Sequence, residues 1–371
     1  MFELLGLSPG LFALFVGFGF MVGVFFGFFG MGGSFLVTPA LLILGYPTPV
    51  AIGSSMAFVF GTAVIATLKH HDAGQVDYRL GALMFVGITV GIELGSRLVF
   101  GLEVLGIASV VVGVAYVLLL AAIGILFTRS AMNDEAEGNG TKEGGDETNG
   151  GGDEANGGGD EANGGGDEVG SDGAAGDVPD EDIPEIARKI KSYRVPPMMA
   201  LADGSEASLW TISGVGGGVG LISGFLGVGG GFVRMPAIYY VIGTPLAAAV
   251  GTSLFGGLMS GAVGAFTYGR AGVIDIGIVT ALLLGSSLGA RIGSGATAYV
   301  DEDDVTIYFG LMLLAASLAV ALGEVSRWLS MPVLDRISFV LLIGSALFVC
   351  AVILYHGALA VRERRDVAPS A

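Results

Sequence analysis

Two clusters of adjacent glycines are the part of this chain best suited to bind a ligand. The clusters are Gly30-Met31-Gly32-Gly33-Ser34 and Gly227-Val228-Gly229-Gly230-Gly231, and each opens a short apolar segment that reaches a proline. Adjacent glycines allow backbone N–H groups to converge without obstruction by Cβ atoms, and a helix that starts there adds partial positive charge. Two such turns facing each other would bind a small anion. The candidate binding residues here are Gly30, Gly32, Gly33, Ser34, Gly227, Gly229, Gly230 and Gly231.

A competing interpretation assigns these glycines to close helix packing, a common use of glycine in membrane helices. Packing is the better explanation for glycines spaced by four, which share one helix face; these are Gly87, Gly91 and Gly95 in the first half, and Gly285, Gly289 and Gly293 in the second. It explains the clusters less well, because packing requires spaced glycines and not adjacent ones. The clusters also lack the Gly-Lys-Ser/Thr ending of a nucleotide-binding loop.

Arg234 follows the second cluster by three residues, at a position where the first half has Val37. A guanidinium in an apolar segment is costly and should face a cavity or a partner. Its planar set of donors suits an oxyanion, so we predict that it binds the substrate. The alternative is a side chain that extends from the helix end to the membrane interface.

Two hydroxyl pairs follow the short segments and could line the same site. They are Ser54-Ser55 and Thr252-Ser253. Serine and threonine also bond back to carbonyls of their own helix, and the sequence does not decide between these roles.

Charged residues inside apolar spans form a second candidate group. Glu93 and Arg291 occupy equivalent positions in the two halves, so they could pair with each other, or Glu93 could take up a proton. Arg97 follows Glu93 by four residues, which makes a local ion pair equally consistent. We favour a structural salt bridge for this group.

Other site chemistries receive little support. His70 and His71 lie beside Asp72 in a polar loop and His356 is isolated, so no metal site and no cofactor is predicted. The single cysteine, Cys350, excludes an intramolecular disulfide framework. An intramembrane hydrolase would require a nucleophile with a partner, and no histidine inside a span lies near the serine motifs.

The two clusters belong to a duplication that covers most of the chain. GFFGMGGSFLVTP at 27–39 matches GFLGVGGGFVRMP at 224–236, and the similarity then continues at an offset of 198 residues. Two halves with a glycine- and proline-broken segment at the equivalent place are typical of secondary transporters.

Composition places both halves in a membrane. Apolar residues make up 53% of the chain, charged residues 14%, and the mean hydropathy is +0.76. The net charge of −17 is concentrated in residues 129–208, which carry 20 acidic and 6 basic side chains. This glycine-rich segment has almost no apolar residues, so we predict a disordered linker, although it could also bind a basic partner. A short interfacial helix is predicted at 183–193, with a solvated spacer as the alternative.

The hydropathy pattern predicts an all-α polytopic membrane protein with four regions. These are a first membrane repeat (1–128), the acidic linker (129–208), a second membrane repeat (209–323), and an additional helix with a basic tail (324–371). The segments at 33–45 and 232–243 are too short to span as regular helices. If each nevertheless crosses, every half has five crossings, the repeats are inverted, and the basic residues fall on the inside. If they are re-entrant, the basic residues divide badly between the two sides, so we predict two inverted repeats joined by the acidic linker.

The doubled glycine motif resembles the sulfite exporter family of the TauE/SafE type. The stretches Gly251-Thr252-Ser253-Leu254 and Gly289-Ala290-Arg291-Ile292-Gly293 are also similar to that family. The resemblance implies a multi-pass protein of the cell membrane that transports sulfite, organosulfonates or related sulfur anions, with a small anion and the lipid bilayer as its partners and no nucleic acid. An anion channel of the same architecture is the main alternative, and an intramembrane enzyme is a weaker one. The sequence does not determine the oligomeric state, the coupling ion or the direction of transport.

Overall fold

The computed structural model describes residues 6–29, 33–72, 78–140, 196–200, 206–242, 244, 246–296, 302–329 and 331–367. The first half contains α1 (Pro9–Phe29), a 3₁₀ turn (Gly33–Leu36), α2 (Val37–Ile43), α3 (Thr48–Asp72), α4 (Tyr78–Val104) and α5 (Ala108–Gly140). A short hairpin of β1 (Met198–Ala200) and β2 (Glu206–Ser208) precedes the second half. The second half contains α6 (Leu209–Leu226), α7 (Gly231–Ala237), a π-helical turn (Ile238–Ile242), α8 (Leu246–Arg270), α9 (Ile276–Ala296) and α10 (Glu302–Leu329). The last helix is α11 (Pro332–Val367).

Seven helices in the described residues are long and apolar enough to cross a membrane. They are α1, α4, α5, α6, α9, α10 and α11. Prolines stand at the start of α1 and α11, where a missing N–H costs no helical hydrogen bond. The all-helical polytopic architecture predicted from hydropathy is confirmed.

The two predicted short segments are short and irregular in the structure. The first consists of the 3₁₀ turn and the seven-residue α2. The second consists of the seven-residue α7, with Pro236 inside it, followed by the π-helical turn. Proline cannot donate the helical hydrogen bond of its position, so a change of helix type directly after it is expected.

The boundaries of the predicted linker differ from those of the structure. Helix α5 continues past residue 129 to Gly140, into the first residues of the predicted linker. The hairpin occupies the other end of the predicted linker. Residues 141–195, including the predicted interfacial helix at 183–193, lie outside the described residues, so disorder there remains a prediction.

The first helix of each half packs against the fourth helix of the other half, so α1 packs against α9 and α6 packs against α4. In α1, a Cβ at Gly19, Gly23 or Gly27 would collide with the backbone of α9. In α6, the equivalent glycines meet the backbone of α4 in the same way; these are Gly216, Gly220 and Gly224. Because α1 meets α9 in the same way as α6 meets α4, the two halves have an approximate twofold arrangement. The four-spaced glycines of α4 and α9 also meet helix backbone, in agreement with the packing role predicted for them.

Equivalent helices of the two halves run antiparallel where they meet. Along α3 and α8, Gly53 lies against Tyr268 and Gly264 against Met56. Along α5 and α10, Gly113 lies against Glu324, whereas Gly310, at the opposite end of α10, lies against Thr128. In each pair, residue numbers increase along one helix in the direction in which they decrease along the other.

Candidate functional site

The second glycine cluster forms a turn between α6 and α7 that only glycine adopts easily. Gly227 ends α6 with φ +76°, and Gly229 and Gly230 follow with φ +65° and +74°. Left-handed backbone of this kind is disfavoured for residues with a Cβ atom. Space is also short, since a Cβ at Gly229 would lie 2.5 Å from the side chain of Val59. The adjacent glycines are therefore required by the turn itself.

Hydroxyl groups from both halves hold the carbonyl groups of this turn. From the first half, Ser34 donates to Val228 O at 2.6 Å and Ser55 donates to Gly227 O at 2.8 Å. From the second half, Ser253 donates to Gly231 O at 3.1 Å. The hydroxyl of Tyr116 donates to Leu226 O, and that of Tyr268 donates to Gly224 O. The turn is therefore fixed by side chains far away in sequence.

The N–H groups of the same turn differ from its carbonyl groups in their hydrogen bonding. The N–H groups of Val228, Gly229 and Gly230 donate no hydrogen bond to any other described residue. Buried N–H groups of a folded chain are almost always paired. With its acceptors in use and these donors without a partner in the described part of the chain, the turn favours a ligand that accepts hydrogen bonds.

Arg234 lies completely buried beside this turn and does not extend to the membrane interface. Its Nη1 donates to Ser253 O at 2.8 Å, and its Nη2 donates to Gly229 O at 2.9 Å and to the Ser260 hydroxyl at 2.8 Å. Its buried Nε has no hydrogen-bond partner in the described part of the chain. No described carboxylate forms an ion pair with Arg234. In the described part of the chain, neutral groups hold this buried positive charge, an arrangement that favours a bound anion.

A glycine in α8 makes room for the guanidinium. A Cβ at Gly256 would lie 2.6 Å from Cδ and 2.8 Å from Nε of Arg234. The equivalent positions in the first half hold Phe58 and Val37, and both side chains are buried. The two halves therefore share the backbone pattern, but the buried charge belongs to the second half only.

A family model described as sulfite exporter TauE/SafE matches residues 15–320. The chain belongs to the sulfite exporter TauE/SafE family. Two proteins of Xylella fastidiosa, each named "Probable membrane transporter protein", are similar over 309 residues that cover 82% of this chain and 93% of the relative. The identity is 25% for strain 9a5c and 24% for strain Temecula1 / ATCC 700964. No solved structure matches the chain.

Family and fold together define the general function. TauE/SafE proteins are membrane transporters, and the seven apolar helices in the described residues are those of a multi-pass membrane protein. This TauE/SafE protein is therefore a membrane transporter of a small molecule and not an enzyme.

The other predicted site residues of this TauE/SafE protein divide into three groups. Gly33 and Ser34 open the 3₁₀ turn, and Ser34 connects the first cluster to the second; Gly30 and Gly32 lie outside the described residues. Ser55 and Ser253 contact the turn, and Thr252 is buried next to Ser253. Ser54 has a different partner, because its hydroxyl accepts a hydrogen bond from the Asp275 N–H at 3.0 Å.

The predicted ion-pair residues lie apart from this turn. Glu93 pairs with Arg97 at 2.9 Å, one helical turn along α4, and with Arg270 of α8 at 3.7 Å. Arg291 is exposed and forms no ion pair with the described residues. Of the alternatives left by the sequence, the geometry contains the local pair with Arg97, and Arg270 is a partner that the spacing did not indicate.

Sequence reasoning missed several residues that complete the site. Ser260, Tyr116, Tyr268 and Gly256 all contact the turn or Arg234. Ser260 could have been found, because it lies seven residues after Ser253 on the same face of a helix. Nothing local marks the two tyrosines, since single tyrosines are common in membrane helices. No group of three or more His, Cys, Asp or Glu comes together within the part of the chain that the structure describes.

Proposed function

We propose that this protein is a secondary transporter that moves a small sulfur-containing oxyanion, sulfite or an organosulfonate, by alternating access. The observation that carries the proposal is the fully buried Arg234, which has no carboxylate partner among the described residues. It lies beside a turn whose N–H groups at Val228, Gly229 and Gly230 donate no hydrogen bond to those residues. The family described as sulfite exporters supplies the substrate class. The residues proposed to bind the anion are those of the two glycine clusters, with Ser55, Ser253, Arg234 and Ser260.

The hydrogen-bonding groups of the site determine whether it binds a cation or an anion. A cation would need carbonyl or carboxylate oxygens, but the turn's carbonyls accept bonds from hydroxyls of Ser34, Ser55 and Ser253. An oxyanion needs donors, and the N–H groups of the glycine turn together with Nε of Arg234 supply them. Sulfite and sulfonates present several oxygens around one sulfur atom, which matches donors that converge from backbone and side chain.

Alternating access follows from two repeats of inverted topology, which we propose for this chain. The antiparallel contacts of α3 with α8 and of α5 with α10 support that topology, because equivalent helices of inverted repeats run in opposite directions. In transporters of this type, the substrate binds between the repeats at broken helices, and one part of the protein moves against the other. The turn between α6 and α7 lies where a helix is broken. It also lies between the two halves, because hydroxyls from both halves donate hydrogen bonds to it.

The region boundaries follow the same proposal. Repeats of about 1–128 and 209–323 form the transport unit, the acidic segment of 129–208 connects them, and residues 324–371 add a further helix with a basic tail. The second short segment contributes the charge, and the first contributes Ser34.

Counterflow in proteoliposomes tests this function. Vesicles loaded with unlabelled sulfite and diluted into a trace of labelled sulfite should accumulate the label transiently, whereas a channel would only equilibrate it. Methanesulfonate should compete with the label, and chloride should compete poorly because a single spherical atom cannot reach donors that are arranged around several separate oxygens. Absence of counterflow with sulfite and every sulfonate tested would refute the proposed substrate class.

A further inference from the structure

Glu324 of α10 is a buried carboxylate that the proposed anion site does not use. Its side chain is only 10% exposed. One oxygen, Oε1, accepts a hydrogen bond from Arg327 at 2.6 Å, whereas the buried Oε2 has no partner in the described part of the chain. A carboxylate with an unpaired buried oxygen is costly as an anion, and protonation removes that cost. Ionisable groups with this environment inside a membrane protein mark proton pathways.

We propose that Glu324 is the proton-binding site through which a proton gradient drives anion transport. The inference rests on the proposed transport function and identifies its coupling ion. On one side of the membrane, the carboxylate binds one proton and becomes a neutral carboxylic acid. On the other side, it releases that proton and becomes a carboxylate again. The proton crosses together with the anion, so each cycle moves one negative charge fewer than transport of the anion alone.

Among the described residues, Arg327 is the charged group that contacts Glu324. On α5, the carboxyl group lies directly against Gly113, which carries no side chain. On α11, the Ser338 hydroxyl lies near the adjacent residue Gly323, and the charged Asp335 and Arg336 are exposed. The short helix α2 places the apolar Ile43 near the same glycine and has no ionisable residue. Arg327 itself is 35% exposed, so it is within reach of water and can exchange the carboxylate for other partners.

Helix α5 connects Glu324 to the anion site. Gly113, against which the carboxyl group packs, and Tyr116 are three residues apart and share one face of the helix. The Tyr116 hydroxyl donates to the carbonyl of Leu226, the residue directly before the glycine turn. A change of the turn on anion binding therefore displaces α5 against α10 and alters the surroundings of the Glu324 carboxyl group.

Glu93 is less suited to this role. Its side chain is 35% exposed, and Arg97 and Arg270 both lie within ion-pairing distance of it. Each of its two oxygens therefore has a cationic partner, whereas Oε2 of Glu324 has none among the described residues. Glu93 is therefore the matched control, because it is also a glutamate of a membrane helix paired with an arginine.

The test compares two assays of the purified protein in proteoliposomes. Counterflow of labelled sulfite without a pH gradient reports anion exchange, and accumulation of labelled sulfite under an acid-outside gradient reports coupling. In Glu324→Gln, which mimics the protonated form permanently, counterflow should persist, but accumulation driven by the gradient should be lost. Glu324→Asp keeps a titratable carboxyl group and should retain part of the accumulation. Glu93→Gln should retain both activities.

The outcomes separate the two proposals. Gradient-driven accumulation at the wild-type level in Glu324→Gln would overturn the role of Glu324. Equal loss of counterflow and accumulation in both Glu324→Gln and Glu324→Asp would also overturn it, since that result indicates a structural role only. Wild-type counterflow without any response to the pH gradient would refute proton coupling and leave the transport function standing. If wild-type protein shows no counterflow with any sulfur anion, both proposals fall.

Discussion

The guanidinium of Arg234 and the hydroxyl of Ser260 meet on the same backbone carbonyl. Nη2 of Arg234 lies 2.8 Å from the Ser260 Oγ and 2.9 Å from the Gly229 O, and the Ser260 Oγ lies 2.8 Å from the Gly229 O. Both side chains are fully buried. The pair fixes the glycine turn from the side of α8, so the position of the charge and the shape of the turn depend on each other.

Ser260→Ala should weaken anion binding because Nη2 of Arg234 loses a buried acceptor. Loss of one hydrogen bond to a charged group costs about 1.5–3 kcal/mol, which is roughly a tenfold to hundredfold loss of affinity. The measurement is the sulfite concentration that half-maximally raises the melting temperature of the purified protein. Thr62→Ala is the control, since Thr62 has the equivalent position in the first half and bonds only to carbonyls of its own helix. Equal affinities in both variants would place the anion elsewhere.

Gly256→Ala should abolish anion binding through a direct collision with Arg234. The added methyl group would lie 2.6 Å from Cδ of Arg234, so the guanidinium must move away from the turn. Gly257→Ala makes the same change one residue later, where the nearest guanidinium atom would be 3.6 Å away, an ordinary contact. Sulfite counterflow should therefore be lost in the first variant and kept in the second. Normal transport by Gly256→Ala would show that the position of Arg234 does not matter.

Inverted repeats predict that the loop after α4 and the loop after α8 lie on the same side of the membrane. Leu105 and Ala271 are exposed in these two loops. Cysteines at these positions, introduced singly into a Cys350→Ala background, should both react with an impermeant maleimide added from one side of oriented vesicles. Parallel repeats would place the two cysteines on opposite sides, so reaction from different sides would contradict the proposed topology.

Tyr116→Phe should lower the stability of the folded protein, because the buried carbonyl of Leu226 loses its donor. An unsatisfied buried acceptor costs about 1–3 kcal/mol. Tyr268→Phe removes the donor to Gly224 O and should have a similar effect. Tyr355→Phe is the control, since Tyr355 is 64% exposed. Thermal unfolding in detergent measures all three, and an unchanged melting temperature for Tyr116→Phe would show that the tyrosine does not hold the turn.

Gly229 illustrates a limit of reasoning from the sequence. From the sequence alone, a glycine that brings its N–H group to an anion predicts that an added methyl group obstructs the anion and leaves the fold intact. In the structure, the same methyl group would meet Val59 at 2.5 Å and would occupy a left-handed backbone conformation. A substitution at Gly229 therefore tests folding and binding together, and Gly256 provides the cleaner experiment.

The sequence by itself determined the features that depend on short stretches of chain. Apolar composition identified a polytopic membrane protein, because a helix in lipid must satisfy its own backbone and needs about 20 apolar residues to cross. The repeated glycine motif located both short segments, because glycine and proline interrupt helices wherever they occur. The same motif indicated the family, and the spacing of Glu93 and Arg97 made their ion pair one of the alternatives.

Tertiary structure decided everything that depends on partners far apart in the chain. Ser54 and Ser55 are adjacent, yet Ser55 bonds to the glycine turn and Ser54 to the N–H of Asp275, because neighbouring residues of a helix point about 100° apart. The burial of Arg234 depends on the absence of a side chain at Gly256, and the environment of Glu324 depends on Gly113 of another helix. Helical periodicity gives the direction of each side chain along its own helix, but only the packing of helices from both halves determines what it meets.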